Sequence, residues 1–331
     1  MATADPGKIA NPANTYQRDC EKRTLLIRRG IVILADRIEI LSVALLEQEK
    51  HRVADLKHLA KSLKLEFGWH YLLDLTWILS QLEEIRGKRI MDAGAGLGIM
   101  QWYLAQQGAE VLSVDRESRA HLPVRFRRRY QVKGLRPEDL LPVDHVQISH
   151  AVRTSQSFKK KAVNFVDTGK EIVAWRFSKP SDEKQGWVTI YNQDLKELVD
   201  VQDDTLDAVV AVSALEHNSP NDLSKVVVEL MRVLKPGGLL LATLGAAKEQ
   251  DWFHEPSQGW CYNEDSLRRA FGFPREVPTN YAQFDELFEQ LRNCGELHDN
   301  LAKFYFRSGD NGMPWGVWNP HYQPVGVCKV K

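Results

Sequence analysis

The chain has little cysteine, no surplus of either charge and no long uninterrupted hydrophobic run, and each absence removes a class of protein. Its 331 residues carry 44 Lys and Arg against 44 Asp and Glu, a formal net charge of zero. A protein whose main work is gripping nucleic acid usually shows a basic surplus, so the balance argues against that role. Four cysteines, Cys20, Cys261, Cys294 and Cys328, lie far apart with no paired spacing. Neither a zinc site nor a disulfide framework follows, and a reducing compartment is expected. Residues Met1 to Arg23 are polar and contain no apolar signal core. The most apolar early stretch, Ile31 to Leu46, is interrupted by Asp36, Arg37 and Glu39, so no membrane insertion is expected. No internal repeat stands out. Nine tryptophans and 43% hydrophobic residues allow a sizeable core. The expectation is a soluble, cytoplasmic chain of one large domain with additions or two small ones.

Against this background one segment carries most of the information. Arg89–Ile–Met–Asp is a short apolar stretch that enters the glycine-rich turn Ala93–Gly–Ala–Gly–Leu–Gly98. A helix-like segment from Ile99 to Gln107 follows, and then a second apolar strand, Val111–Leu–Ser–Val, ends on Asp115. This is the start of a βαβ unit with a nucleoside-type ligand at the strand ends. Glycines let the backbone come close to a ligand where a side chain would clash. An acid closing the second strand can accept both hydroxyls of a ribose. The dinucleotide fingerprint places its third glycine five residues after the first. Gly94, Gly96 and Gly98 are instead spaced two and two, and Ile99 holds the fifth position. Asp92, just before the turn, would repel a pyrophosphate but attract a cation. S-adenosylmethionine, with an ammonium, a sulfonium and no phosphate, fits that pattern; for the glycine triplet taken alone, a tight structural turn is the alternative.

Apolar spacing of three and four residues predicts helices over about Asn14 to Arg86. Ile27, Ile31, Leu34, Ile38, Leu41 and Leu45 set the pattern, Leu72, Leu75, Ile78 and Leu82 continue it, and Gly68 breaks one helix from the next. Strand Arg89–Asp92, helix Ile99–Gln107 and strand Glu110–Asp115 are followed by a long connection, Arg116 to Gly186, read as a folded insertion. It holds the basic cluster Arg125–Phe–Arg–Arg–Arg–Tyr130 and β-like runs at His145–Ile148, Ala162–Val166 and Ile172–Phe177. Further strands are expected at Trp187–Tyr191, at the nearly all-apolar Asp207–Val212, which suits a central parallel strand covered on both faces, and at Leu239–Thr243. An amphipathic helix over Leu223–Leu234 should stop at Lys235–Pro–Gly–Gly238. Helices near Glu264–Phe271 and Ala282–Arg292 and strands at Ala302–Arg307 and Pro324–Lys329 close the chain.

Five pieces stand in one order: Asp92–Ala–Gly–Ala–Gly–Leu–Gly98, Asp115, Asp194–Leu195, the strand ending Ser213–Ala–Leu–Glu–His217, and Val233–Leu–Lys–Pro–Gly–Gly238. Together they resemble the class I S-adenosylmethionine-dependent methyltransferases, in the broad small-molecule group that includes quinone-biosynthesis methyltransferases. The resemblance covers about Lys88 to Thr243 and implies a Rossmann-like, seven-stranded sheet, mostly parallel with the last strand antiparallel. Residues 1–86 would be an N-terminal helical extension, and residues 87–331 the cofactor-binding domain with an insertion, 116–186, after its second strand. The resemblance also implies the cofactor roles. Asp92 and the backbone at Gly94 and Gly96, in the turn completed by Gly98, would face the methionine part, and Asp115 would hold the ribose. Asp194 would bond the adenine amino group, with Leu195 packing near the ring. The backbone near Ser213 and Ala214 would lie under the sulfonium. Of Trp69, His70 and Tyr71, one side chain would reach the cofactor, and Tyr71 is the candidate; packing in an aromatic core is the alternative.

His217 is the candidate general base if the acceptor is a hydroxyl or protonated amine, because a neutral imidazole takes a proton near neutral pH; a hydrogen bond to the loop or to the cofactor, with no part in proton transfer, is the alternative. Glu216 either orients it or faces solvent. No metal is expected, because Ser213 stands where some relatives carry an additional glutamate. The sequence Glu216–His–Asn–Ser–Pro220 replaces the Asn/Asp–Pro–Pro–aromatic motif of enzymes that methylate planar amino groups, which lowers the expectation of a nucleic-acid or glutamine substrate. The acceptor is therefore expected to be a small molecule, with sugars, glycans, phenols, acids, lipid precursors and secondary-metabolite precursors all open. Its walls are expected from Trp252–His254, Trp260–Tyr262, the loop Gly312–Trp318 and His321. The Arg125–Arg129 cluster reads first as a solvated helix face balanced by Glu138 and Asp139, then as a phosphate grip, and last as an RNA contact using Phe126 and Tyr130. The rival functions are an RNA-modifying enzyme and a cofactor-binding regulator without catalysis.

Overall fold

A computed structural model describes residues 35–143, 169–170, 172–173, 185–302, 313 and 317–331. Its centre is the βαβ unit that the glycine-rich turn announces. Strand β2 (Arg89–Ala93) leads into helix α4 (Met100–Gln106) and strand β3 (Glu110–Asp115), which lies parallel to β2. Ahead of them come β1 (Arg37–Ile40), α1 (Ala44–Gln48), α2 (Lys50–Leu63) and α3 (Tyr71–Gln81). After them come α5 (Val124–Arg129), β4 (Gln131–Gly134), β5 (Trp187–Asn192) and β6 (Leu206–Val212). Then follow α6 (Pro220–Val233), β7 (Leu234–Ala246), β8 (Trp252–His254) and β9 (Gly259–Tyr262). Helices α7 (Glu264–Phe271), α8 (Phe284–Arg292) and α9 (Gly295–Asp299) precede the last strand, β10 (Gln323–Val330).

The strands form one sheet in the order β1-β10-β7-β6-β2-β3-β5-β4, with β9 pairing the end of β7 and β8 pairing β9. Strands β7, β6, β2, β3, β5 and β4 run parallel, and β10 runs antiparallel to β7 and β1. Chain order reverses at β2, whose neighbours are β3 on one side and β6 on the other. In open α/β sheets such a switch point leaves a crevice beyond the carboxyl ends of the strands. Apolar side chains alternate between the two faces. Ile90, Val111 and Val210 pack against α3 and α4, while Met91, Leu112 and Val209 pack on the side of α6 and α7. Helix α6 shows why the elements begin and end where they do. Ser219 caps it by accepting from the Asp222 N–H at 3.2 Å, and Pro220 fills the first turn. Leu223, Val226, Val227, Leu230 and Val233 are buried at helical spacing. Extended backbone at Leu234 then ends it, because that residue opens β7 opposite Leu206.

The mostly parallel α/β sheet with a reversed last strand is as expected, but among the described residues it has ten strands rather than seven. One unexpected strand is β1. Ile38 and Leu41 fit a helical spacing in a wide window, yet Arg37–Ile–Glu–Ile40 alternates polar and apolar, and this shorter period wins. Ile38 and Ile40 are buried, and the strand pairs antiparallel with β10. The helical reading of residues 14–34 lies outside the described residues. Helix α2 ends at Leu63, and Gly68 falls in the link before α3, as expected. Another unexpected strand is β4, which the insertion supplies to the sheet edge. The β-like runs at His145–Ile148 and Ala162–Val166 lie outside the described residues, as do 303–307 of the expected strand at Ala302. Ile172 and Val173 are helical, not extended. Among the described residues no helix is long and apolar enough to cross a membrane.

The basic cluster is tied into the fold. Arg127 donates to the carbonyls of Leu122 (3.2 Å), Ala120 (3.1 Å) and Leu141, and burial pushes its pKa down to about 10. Glu138 and Asp139 pair with Arg136, not with the cluster. Phe126 and Tyr130 are buried, and Phe126 stacks on Trp102 at 4.6 Å.

The pairing of β10 with the core generates a test. A Cβ at Gly326 would lie 2.5 Å from the ring of Trp77, itself buried under the sheet. Gly326→Ala should therefore lower stability by roughly 1–3 kcal/mol, as overpacking does. Gly295→Ala, whose Cβ meets nothing within 4 Å, should change it by no more than about 0.5 kcal/mol. Denaturant unfolding of the two variants decides; equal stabilities would contradict the packing.

Candidate active site

At the carboxyl ends of β2, β3, β5 and β6 lies a cavity of about 540 Å³. That is within the range of roughly 300–1,000 Å³ usual for small-molecule sites. It brings together residues far apart in the chain: Asp92, Gly94, Gly96 and Gly98 from the first turn, Asp115 from the end of β3, Asp194 and Leu195 after β5, Ser213 after β6, and Tyr71 from α3. His217 lines it too, while Glu216 does not.

The glycine turn is built to bring backbone and ligand together. Gly94 and Ala95 both donate their N–H to the Val114 carbonyl, at 2.9 and 3.0 Å, which folds the turn over the end of β3. Gly94 has φ of +75° and Gly96 of +47°, values that side chains with a Cβ rarely adopt. A Cβ at Gly94 would also lie only 2.4 Å from that of Ala214. Only glycine lets the two strand-end loops meet there. Asp115 holds the turn from below. Its Oδ2 accepts the Gly96 N–H at 2.7 Å, and its Oδ1 accepts the Glu117 N–H at 2.8 Å. Each carboxylate oxygen retains a further lone pair, so the group can still accept from two hydroxyls. Asp194 accepts the Lys196 N–H at 2.9 Å, which shapes the turn after β5.

Asp92 is a buried carboxyl on the cavity wall. It is 2% exposed, and its Oδ2 has no hydrogen-bond partner. Burial pushes its carboxyl up to about 7, against the opposing pull of the Arg119 charge and the Gln101 N–H, with the charge of Asp115 adding to the rise. An orphaned, buried carboxyl oxygen on the wall of a cavity is a position prepared for a donor, and a cation suits it best.

Two residues that the sequence reading missed support this arrangement. Gln101 fills the hollow of the glycine turn, donating to the carbonyls of Gly98 (3.1 Å), Ala95 (3.3 Å) and Gly96 (3.3 Å), while its own oxygen accepts from Ser113 Oγ at 2.7 Å. Arg119 turns inward beneath the strand ends and is 5% exposed. It donates to Ser113 O (2.8 Å), Tyr191 O (3.0 Å) and Ser113 Oγ, so its charge lies below Asp92 and Asp115. Burial lowers its pKa, and the carboxylates of Asp115, Asp92 and Asp139 oppose that shift. Nothing local in Arg116–Glu–Ser–Arg119 marks the last residue as an inward one.

On the other side of the cavity, His217 ends the short turn Leu215–His217. Its Nδ1 lies 2.9 Å from the Gln258 carbonyl. A carbonyl can only accept, so Nδ1 carries the proton, and in the neutral ring Nε2 keeps its lone pair. Asn218 and Gln258 also line the cavity, as do Tyr71 and Leu75 of α3. Among the described residues of the aromatic segments expected to wall it, none lines the cavity. Trp252 and His254 turn to Tyr322, with ring centroids 6.5 and 5.1 Å away, and Trp69 lies edge-on to Tyr322 and Trp318. Gln258, in the turn between β8 and β9, lines the cavity. Residues 312 and 314–316 of the expected loop lie outside the described residues. His70 is buried, its Nδ1 2.6 Å from Asp74 Oδ2. Among the described residues no group of three His, Cys, Asp or Glu side chains is placed to hold a metal.

Comparison with known proteins finds one family match and several distant structural similarities. Residues 149–242 match a family described as a methyltransferase domain. The matched span carries β5, β6 and α6 but not the glycine turn. No curated protein matches the chain. Among solved structures, phosphoethanolamine N-methyltransferase 2 of Haemonchus contortus is 17% identical over 87% of this chain and 59% of its own, with a TM-score of 0.43. The 1,6-didemethyltoxoflavin-N1-methyltransferase of Burkholderia thailandensis is 12% identical over 99% and 93%, with a TM-score of 0.37. A TehB-like methyltransferase of Corynebacterium glutamicum is 14% identical over 85% and 97%, with a TM-score of 0.33. S-adenosylmethionine is the family's cofactor, and the site fits it: an unpartnered buried carboxyl for an ammonium, a second carboxylate with spare lone pairs for a ribose, and no phosphate-seeking glycine spacing. Residues 149–242 thus match a methyltransferase domain, and the sheet that reverses order at β2, with a carboxylate-lined glycine turn at that point, has a Rossmann-like methyltransferase fold.

Proposed function

We propose that this methyltransferase acts on a small-molecule acceptor through a hydroxyl or amine, and that His217 is the general base. The observation that carries the reading is the bond from His217 Nδ1–H to the Gln258 carbonyl, on a residue that lines the cavity. It fixes the ring and leaves Nε2 as the proton acceptor. The RNA alternative loses support, because Phe126 and Tyr130, its stacking surfaces, are buried.

S-adenosylmethionine supplies a methyl carbon already activated by a sulfonium, with a neutral thioether as leaving group. The chain's own residues therefore have little charge to stabilise on departure. Asp92 holds the ammonium of the methionine part, Asp115 the ribose, Asp194 the adenine amino group with Leu195 near the ring, and Tyr71 covers the methionine end. The Ser213–Ala214 backbone forms the floor beneath the reacting centre. Holding both reactants in line and excluding water is worth roughly 7–11 kcal/mol in good intramolecular models. His217 takes the acceptor's proton as the new bond to carbon forms.

Two outcomes are expected. Asp92 must be ionised to hold a cation, and its carboxyl stands at about 7 in the free protein. Below that pH, binding must expel a proton, so affinity for S-adenosylhomocysteine, which keeps the ammonium, should fall as pH drops from 8 to 6. Calorimetry at pH 6.5 in two buffers of different ionisation enthalpy should detect proton release, and Asp92→Asn should weaken binding and abolish the release. Affinity flat with pH would remove Asp92 from this role. Next, methyl-labelled cofactor incubated with the protein and a metabolite extract should give a labelled small molecule, identified by mass spectrometry. His217→Ala should slow its formation by about 10²–10⁴-fold while leaving cofactor affinity within about threefold. Label appearing only in RNA would overturn the substrate class.

A further inference from the structure

Glu216 precedes His217 in the chain but neither faces solvent nor lines the cavity. It is 6% exposed, and its Oε1 accepts the Ser213 hydroxyl, while Oε2 has no hydrogen-bond partner. Burial raises its pKa, with His217, the Ser213 hydroxyl and His70 pulling it back.

The two neighbours of this side chain explain its place. Ser213 has φ of +48°, in the left-handed region that a non-glycine residue occupies only when its surroundings hold it there. Its N–H is shared between Thr243 O and Thr243 Oγ1, each at 3.1 Å, and its hydroxyl is held by Glu216. This turn sends Ala214 against Gly94 and forms the floor of the cavity. On its far side Glu216 meets Gly259, the first residue of β9. A Cβ at Gly259 would lie 3.1 Å from Glu216 Cγ and 3.7 Å from its Cβ. Gly259 directly follows Gln258, whose carbonyl anchors His217. One buried side chain is thus wedged between the floor of the site and the strand that fixes the imidazole.

We propose that Glu216 is a positioning residue that, packed between Ser213 and Gly259, sets the Gln258 carbonyl against His217 and so holds the imidazole with Nε2 free for the acceptor's proton. The proposal rests on the reading of His217 as the base. It predicts a loss of the imidazole's fixed tautomer when the wedge is removed, a readout that needs no acceptor and that packing loss elsewhere in the fold would not change.

The test uses the full chain labelled with ¹⁵N-histidine, and long-range ¹H–¹⁵N correlation of the His217 ring nitrogens at a pH where the ring is neutral. His217→Ala assigns the signals, and thermal melting confirms that each variant is folded. In the wild-type protein the ring should be the Nδ1–H tautomer. Glu216→Ala should give a mixture of both tautomers. Glu216→Gln, whose amide oxygen still accepts from Ser213, should keep the wild-type signal. Gly259→Ala, which crowds the wedge with Glu216 in place, should behave like Glu216→Ala and carries the test if that variant does not fold. A wild-type ring protonated at Nε2 overturns the base assignment itself. A wild-type Nδ1–H tautomer that persists unchanged in Glu216→Ala or Gly259→Ala overturns the positioning role alone.

Discussion

The structure depends on keeping two carboxylates, Asp92 and Asp115, together at the tips of neighbouring parallel strands without filling the space between them. Like charges in a low-dielectric site repel, and each resists losing its water. The fold answers with a third charge from beneath. Arg119, buried under the same strand ends, offsets both carboxylates without entering the cavity. Asp115 is further satisfied by two backbone N–H groups, whereas Asp92 keeps an oxygen unpartnered. The protein thus retains one buried carboxyl oxygen without a partner at the strand ends.

The rest of the architecture follows from that constraint. A turn that approaches a ligand through its backbone needs the left-handed conformations at Gly94 and Gly96, and Gln101 ties the resulting loose carbonyls together. The reversal of strand order at β2 lets Ser213 and Ala214 come up beside the turn from β6, so that both strand-end loops line one cavity. Helix α3 and the β8–β9 turn close the remaining sides with Tyr71, Leu75 and Gln258.

Much of this was legible in the residues because it is local. An apolar run, a glycine turn and a second apolar run ending on an acid specify β2, α4 and β3, and the same logic places Asp92 and Asp115. Features that depend on register between distant segments were not legible. Arg119 reads as one more polar residue in a charged stretch, and only the pairing of β3 with β5 gives it Ser113 and Tyr191 as partners. Strand β1 hides inside a window whose apolar spacing also suits a helix. The aromatics of β8 and β9 read as pocket walls, but Trp252 and His254 face Tyr322, whose position is set by β10. Gln258, an unremarkable residue by composition, reaches the site because the hairpin turns there.

The most direct test of the central claim is a crystal structure of the protein with S-adenosylhomocysteine. The ligand should lie across the ends of β2, β3 and β6, with its ammonium within hydrogen-bond distance of Asp92 Oδ2 and its ribose hydroxyls on Asp115. A ligand bound elsewhere, or one whose ammonium leaves Asp92 unpartnered, would contradict the account.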